Sequence, residues 1–131
     1  MERVRFIEHQ GRRILLFDFS NIWSVGEAAK VIDGAREFVG RQPQKGDLLT
    51  LVDVKESAFD DRVIAKLKEL GAHNRPWVLA GAVVGMSGMQ KIMFRLINSF
   101  NGRKLAAFNT REQAQEWLVH QTAPPETVPE Q

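Results

Sequence analysis

Three acidic side chains follow one apolar segment closely, and their type and spacing could support metal chemistry. Asp53 ends the apolar run Leu48–Asp53, and Asp60 and Asp61 come shortly after it. Open α/β sheets commonly bind ligands and metals beyond the carboxyl ends of their strands, so this group could coordinate a divalent cation. The alternative, which we favour, makes Asp60 or Asp61 the N-cap of the next helix and Asp53 a hydrogen-bond acceptor in the loop.

A second group combines glycine, serine and lysine in the segment that contains Gly85, Ser87, Gly88 and Lys91. Backbone amides, a hydroxyl and a cation at the start of a predicted helix would suit an anion. The spacing is not that of a phosphate-binding P-loop, which needs a longer loop ending in Gly-Lys and Ser or Thr. The alternative, which we again favour, is a turn with a capping box formed by Ser87 and Gln90.

Little other chemistry is available to this chain. It has no cysteine, which excludes disulfides, thiolate metal sites and cysteine nucleophiles. His9, His73 and His120 lie far apart in sequence and in different predicted elements, so we expect surface residues rather than a metal pair. No nucleophile is accompanied by a general base. We therefore predict no catalytic residue, no metal and no cofactor.

The composition is that of an ordinary globular domain. The chain has 131 residues, of which 44% are hydrophobic, and its formal net charge is +2. No apolar run could span a bilayer, and the N-terminal residues do not resemble a secretory signal, so we expect a cytoplasmic protein. Lysine and arginine are dispersed along the chain, which argues against a nucleic-acid partner.

The elements that would position these residues follow from hydrophobic periodicity and capping residues. The order is ββαβαβαβα: a hairpin followed by strands that alternate with helices, which predicts an α/β fold with a mixed sheet and helices packed against it. We expect one domain over residues 1–121 and a disordered tail over 122–131. Gly71 is predicted to end the second helix. Strands are predicted over Val4–His9, 12–19, Leu48–Asp53, Val78–Val84 and Leu105–Phe108, and helices after the caps Ser24, Asp60 or Asp61, Ser87 and Thr110.

Two aromatic residues lie outside the predicted apolar stripes, and one of them, Trp23, could equally cover the core as a staple or mark a docking surface. Trp23 lies in the connection before the first helix, and Phe94 lies about 100° away from the apolar stripe of the predicted helix 90–100. Either side chain could belong to a partner surface or to a ligand pocket. Single exposed apolar residues are also common in globular proteins, so this alternative stays open.

The element order resembles that of the STAS domain of anti-sigma-factor antagonists, and more closely that of the SpoIIAA-like group within the same fold. The similarity is carried by Leu48–Asp53 as a central strand ending in Asp, by the next strand over residues 78–85, by the helix 90–100, and by the segment 104–118 with the sequence KLAAFNTREQAQEWL. This resemblance implies a protein without chemistry of its own, which docks a kinase or an anti-sigma factor. It also implies a switch by phosphorylation of a serine at the start of the helix after the central strand.

This sequence departs from the family at that serine. Aligning Asp53 and Asp61 places Arg62 and Val63 where the family's Asp-Ser-Ser-Gly pattern has its serines. Ser57 lies in the same loop and could replace them only if the loop bends differently. Neighbouring carboxylates would also repel a phosphate on Ser57.

We therefore predict a STAS-like, non-enzymatic regulatory or scaffold module that binds a protein partner. The first alternative is a carrier or sensor of a small apolar or lipid-like ligand, suggested by Phe94 and by the small residues of Val78–Val84. The second is a metal- or phosphate-dependent enzyme that uses Asp53, Asp61 and Lys91. A homodimer is left open.

Overall fold

The architecture is described from a computed structural model for residues 2–87 and 105–122. The helix predicted over 90–100 and the tail residues 123–131 lie outside these ranges. The strands are β1 (Val4–His9), β2 (Arg12–Asp18), β3 (Leu48–Asp53), β4 (Val78–Val84) and β5 (Leu105–Phe108), and the helices are α1 (Val25–Gly40), α2 (Asp61–Asn74) and α3 (Arg111–Val119). The order of these elements agrees with the prediction from the sequence.

One mixed sheet contains all five of these strands, in the order β1-β2-β3-β4-β5. β1 pairs with β2 in the antiparallel sense, and each later strand pairs with its predecessor in the parallel sense. β3 is central, and nearly all of its residues are buried, as expected for an apolar strand covered on both faces. The predicted mixed sheet is confirmed.

The hairpin leaves the outer edge of β1 open. Gln10 and Gly11 form its turn with positive φ angles of 51° and 80°, which suit the tight turn of an antiparallel pair. The amide of Asp18 donates to the carbonyl of Arg3, just before β1, at 2.7 Å. The backbone N–H and C=O groups of every second residue after Arg3 therefore point toward β2. The backbone groups of the alternate residues, Val4, Phe6 and Glu8, point away from β2. No other described strand pairs with them.

Helices cover both faces of the sheet, and each face has its own apolar core. α1 and α2 pack on one face, where their buried side chains meet Leu15, Phe17 and Leu48. α3 packs on the other face through Ala114 and Leu118. Because side chains alternate between faces along a strand, consecutive residues of β2 and β3 contribute to different cores.

The three described helices begin at the predicted caps and end less predictably. Ser24, Asp60 and Thr110 each accept a hydrogen bond from an amide in the first turn. The prediction that Gly71 ends α2 is wrong, since the helix continues to Asn74. Leu70 and Asn74 are four residues apart and both buried, and this packing outweighs the roughly 1 kcal/mol that glycine costs inside a helix. None of the described helices is long and apolar enough to cross a membrane.

Candidate functional site

The loops at the carboxyl ends of β2 and β3 are joined to each other by backbone hydrogen bonds. The amide of Phe19 donates to the carbonyl of Asp53 at 2.8 Å, and the amide of Asn21 donates to that of Lys55 at 3.0 Å. The amide of Ala58 in turn donates to the carbonyl of Ile22 at 3.1 Å. The segments 19–24 and 54–60 therefore form one platform at this edge, which we call the carboxyl-edge platform.

A buried ion cluster lies beneath the platform. Asp18 and Asp53 end β2 and β3 and pair with each other in register, so their carboxylates share one edge of the sheet. Arg111, the first residue of α3, places Nε 2.7 Å from Asp53 Oδ2 and Nη2 3.5 Å from Asp18 Oδ2. Arg3 adds a second guanidinium, with Nη1 3.7 Å from Asp18 Oδ1. Two cations thus offset two carboxylates that are almost inaccessible to solvent.

Asp18 stays ionised in this cluster because its partners favour the charged form. Burial alone would raise the pKa of its carboxyl group. Hydrogen bonds from the hydroxyl and amide of Ser20, together with the charges of Arg111 and Arg3, outweigh burial and lower that pKa. The Ser20 hydroxyl donates to Asp18 Oδ1 at 2.5 Å. Arg3 also ties this corner together by donating to the carbonyls of Asp18 and Ser20.

Gly85 allows the end of β4 to approach the platform closely. Its φ is +85°, and a Cβ at this position would lie 2.8 Å from both Cα and Cβ of Lys55. The amide of Gly85 donates to the carbonyl of Phe108, at the end of β5. Among the residues predicted as an anion site, Gly85 therefore has a structural role and a committed amide. Ser87 is the last described residue of this segment, and Gly88 and Lys91 lie outside the described residues.

Trp23 projects from the platform into solvent. Its exposed fraction is 69%, and within the described ranges it is the one large hydrophobic residue that is mostly exposed. Its neighbour Ile22 is fully buried, so the chain on its inner side is anchored in the core. Asn21 and Glu56, on the two loops of the platform, both have a φ of 58°, which is unusual for residues other than glycine.

Ser57 lies in the same platform and its hydroxyl is already engaged. The Oγ atom donates to the carbonyl of Val54 at 2.5 Å, and the Ser57 amide approaches the same carbonyl at 3.3 Å. Phosphorylation would have to break this hydroxyl hydrogen bond. A switch at Ser57 stays a prediction.

Of the two candidate caps, Asp60 and Asp61, it is Asp60 that serves as the N-cap of α2. Its Oδ1 accepts from the amides of Arg62 and Val63, and its Oδ2 accepts from the Arg62 guanidinium at 2.7 Å. The Arg62 hydrogen bond is the main reason that the pKa of this carboxyl group is lowered. Asp61 is the first residue of α2 and is exposed, as is usual for an acid in a first helical turn.

The proposed metal cluster of acidic residues does not assemble. Asp53 faces Arg111 and accepts from the Lys55 amide, whereas Asp60 caps a helix. Within the ranges that the structure describes, no three side chains of the metal-binding types converge on one point. The arrangement can hold charge and position loops, but it offers no pair of free carboxylates for acid–base chemistry.

The small residues of β4 are packed against their neighbours. A Cβ at Gly81 would lie 2.9 Å from Leu105 Cδ2 and 3.0 Å from Thr50 Oγ1. Ala80 and Ala82 are buried in the core under α3. The space that these small side chains leave is therefore filled by the protein itself. Phe94, the other residue behind the carrier hypothesis, lies outside the described residues.

Two histidines that are far apart in sequence, His9 and His120, both contact the Glu116 carboxylate at the opposite edge of the sheet. Glu116 Oε1 lies 3.3 Å from His9 Nε2, and Glu116 Oε2 lies 2.9 Å from His120 Nε2. Hydrogen bonds from His120, His9 and Gln10 lower the pKa of Glu116. His73 is half-buried and stacks on Trp77, with ring centroids 5.4 Å apart. The contact between His9 and Glu116 was not predictable from the sequence, because it depends on how α3 crosses the sheet, whereas Glu116 and His120 are four residues apart on one helix.

Sequence reasoning also missed Asp18, Arg3 and Arg111. Asp18 carried a usable signal, because it ends a strand next to β3 just as Asp53 ends β3 itself. Arg111 carried none, because its partner Asp53 lies 58 residues away in sequence. Of the residues predicted to form sites, the structure brings Asp53, Ser57, Trp23 and Gly85 to one edge. Asp60 and Asp61 start the helix that follows.

Comparison with solved structures identifies the fold. The chain is similar to an uncharacterised protein of the DUF3478 family from Shewanella loihica PV-4, whose crystal structure has a SpoIIAA-like fold. The TM-score is 0.70 at 15% sequence identity, over 88% of this chain and 91% of that one. No family model and no curated protein matches the sequence. The chain therefore has a SpoIIAA-like fold, as the resemblance implied, and this degree of identity carries no conclusion beyond the fold.

Proposed function

We propose that this chain is a non-enzymatic regulatory or scaffold module that binds a protein partner through Trp23. The observation that carries the proposal is the exposure of Trp23 on a platform whose two loops are joined by backbone hydrogen bonds. Tryptophan is enriched among the residues that dominate binding energy at protein interfaces. A tryptophan that leaves 69% of its surface exposed is a natural anchor for a pocket on another protein.

The platform is preorganised for such an encounter. Hydrogen bonds join its two loops, and the ion cluster beneath them connects both loops to α3. A rigid anchor loses less conformational entropy on binding than a mobile loop would, so more of the contact energy appears as affinity.

The charges around Trp23 define the kind of partner. Across the platform and the first residues of α1 and α2 (19–27 and 54–62), the exposed acids are Glu27, Glu56, Asp60 and Asp61, and the exposed cations are Lys55 and Arg62. Arg3 also lies 3.8 Å from Glu27 and offsets part of this charge. This excess of acid favours a partner that has an apolar pocket with a basic rim. By resemblance to the anti-sigma-factor antagonists, we expect a kinase-like or anti-sigma-like protein in the cytoplasm.

The decisive experiment compares the native chain with Trp23→Ala. Tagged protein is used to capture partners from the native host, and the captured partner is then purified and titrated calorimetrically. We expect Trp23→Ala to weaken binding at least about tenfold, as for an interface anchor, while the fold is retained. Lys66→Ala on the exposed face of α2 is the matched control and should bind normally.

Two results would contradict the proposal. Equal affinity of the native chain and Trp23→Ala would remove Trp23 from the interface. Turnover of a substrate by the purified chain, abolished by Asp53→Asn or Asp61→Asn, would replace the binding module with an enzyme.

A further inference from the structure

We infer that a pocket at the opposite edge of the sheet binds a small organic oxyanion, a molecule bearing a phosphate or carboxylate group. This amino-edge pocket lies where β2 and β3 begin and where the loop after α1 passes them. Its volume is about 320 Å³, which lies at the small end of the range for ligand sites. It is distinct from the Trp23 platform, and neither proposal depends on the other.

The pocket has an apolar wall and a polar wall. Phe6, Pro43 and Leu49 supply apolar surface, whereas Arg13 and Gln44 supply side chains that can donate hydrogen bonds. The side-chain amide of Gln42 already donates to the carbonyl of Phe38 at 3.0 Å. Such a lining fits a short organic molecule with a charged end better than it fits a bare ion, because the apolar wall needs something to contact.

The Arg13 side chain is held in place at this edge but forms no ion pair within the described residues. The Arg13 guanidinium lies over the Phe6 ring, 3.7 Å from its centroid. Lys45, in the loop that forms one wall, places Nζ 5.0 Å from the Trp77 ring centroid. Across residues 2–87 and 105–122, neither cation has a carboxylate within ion-pair distance. The other edge differs, because there Arg3, Arg62 and Arg111 are all ion-paired.

Arg12 removes an obstacle to anion binding at this edge. α3 ends here, and the carbonyl groups at a helix C-terminus carry partial negative charge. Arg12 Nη1 donates to the carbonyls of Val119 at 2.9 Å and Gln121 at 2.6 Å, so a cation covers that helix end. The pocket lining contains one acid, Asp47, and two cations, Arg12 and Arg13. The pocket therefore keeps an excess of positive charge.

The experiment titrates the full chain with pyrophosphate and with citrate while backbone amide shifts are followed by nuclear magnetic resonance. Ionic strength is held constant with sodium chloride, because salt alone screens surface charge. We expect saturable shifts in residues 42–49, and at least about a tenfold loss of affinity in Arg13→Gln, whose side chain lines the pocket. Arg36→Gln and Lys66→Gln, which remove exposed cations from α1 and α2, should bind as the native chain does.

Several outcomes would overturn this inference. The shifts could fail to saturate up to about 10 mM, beyond the range of ordinary weak binding, or sodium chloride alone could reproduce them. Arg36→Gln could weaken binding as much as Arg13→Gln. A short oligonucleotide could bind far more tightly than both anions with the same dependence on Arg13, and the site would then belong to a macromolecule. The thermal midpoint of each variant is measured so that unfolding is not mistaken for lost binding.

Discussion

At the scale of single residues, Arg111 has the most demanding position in the structure. It is two-thirds buried and faces two carboxylates that end neighbouring strands. A buried ion pair adds little net stability when it is complete, but the loss of one partner leaves an uncompensated charge. Arg111 therefore joins α3 to the sheet in a way that tolerates substitution poorly.

Replacing Arg111 with methionine should lower the free energy of unfolding by about 3 kcal/mol, because Asp53 and Asp18 would remain buried without this cation. Urea unfolding of the two proteins measures the difference. The matched control is Arg62→Met, whose exposed pair with Asp60 is screened by solvent and should contribute little. Equal losses in both variants would show that the buried cation of Arg111 stabilises the fold no more than the exposed cation of Arg62 does.

The lowered pKa of Asp18 predicts a dependence of stability on pH. A carboxyl group whose pKa is lower in the folded protein than in the unfolded one stabilises the fold at pH values above its unfolded pKa, here 3.8. This contribution is lost as the pH falls through the lower pKa of the folded protein. Between pH 5 and pH 3 the native chain should therefore lose more stability than Asp18→Asn does. Urea unfolding at both pH values tests this, and parallel losses would assign the acid sensitivity to other groups.

At the scale of elements, the contact between the end of β4 and the loop after β3 depends on one glycine. Gly85→Ala would place a methyl group within 2.9 Å of Lys55 backbone atoms at a φ that disfavours side chains. We expect a loss of about 3 kcal/mol in the free energy of unfolding, measured by urea or thermal denaturation.

The matched control for Gly85 is Gly34→Ala in α1. A methyl group at position 34 meets nothing within 4 Å, and alanine favours helix, so stability should rise by up to about 1 kcal/mol. A tolerated Gly85→Ala would mean that the loop can move away from β4, and the platform would then not be rigid.

The elements themselves were largely predictable from sequence, because local rules decide them. Strand bounds followed from short apolar runs, and helix starts followed from capping residues such as Ser24 and Thr110. The end of α2 was not predictable, since burial of Asn74 overrides the local preference of Gly71. The site was half predictable: Asp53 is marked by its place after a strand, whereas Arg111 joins it only through tertiary structure.

At the scale of the whole molecule, the two edges of the sheet differ in the charge of their described residues, 2–87 and 105–122. The platform around Trp23 carries an excess of exposed acids, whereas the amino-edge pocket carries arginine without carboxylate partners. Such a separation orients a molecule in the field of a charged partner before contact. A protein partner and an anionic ligand could therefore occupy the chain at the same time, one at each edge.

The open edge of β1 gives a test of the homodimer that the sequence left open. The amides of Arg5 and Ile7 face β2 and should resist hydrogen exchange, whereas those of Val4, Phe6 and Glu8 point outward and should exchange quickly. Exchange of single amides followed by nuclear magnetic resonance measures both sets. Strong protection of Phe6 that is lost on dilution would show that a second copy adds its strand to this edge.

β2 has a further consequence for a chain that is still being synthesised. Its four central residues, Ile14 to Phe17, are apolar and buried in the finished fold, but β3 lies some thirty residues further along the chain. Until β3 emerges, this segment has only β1 beside it and is of the kind that associates with other nascent chains. Arg12 and Arg13 precede it and Asp18 follows it, so charged gatekeepers stand at both of its ends. We expect that removing these charges would lower the soluble yield on expression even where the folded protein tolerates the change.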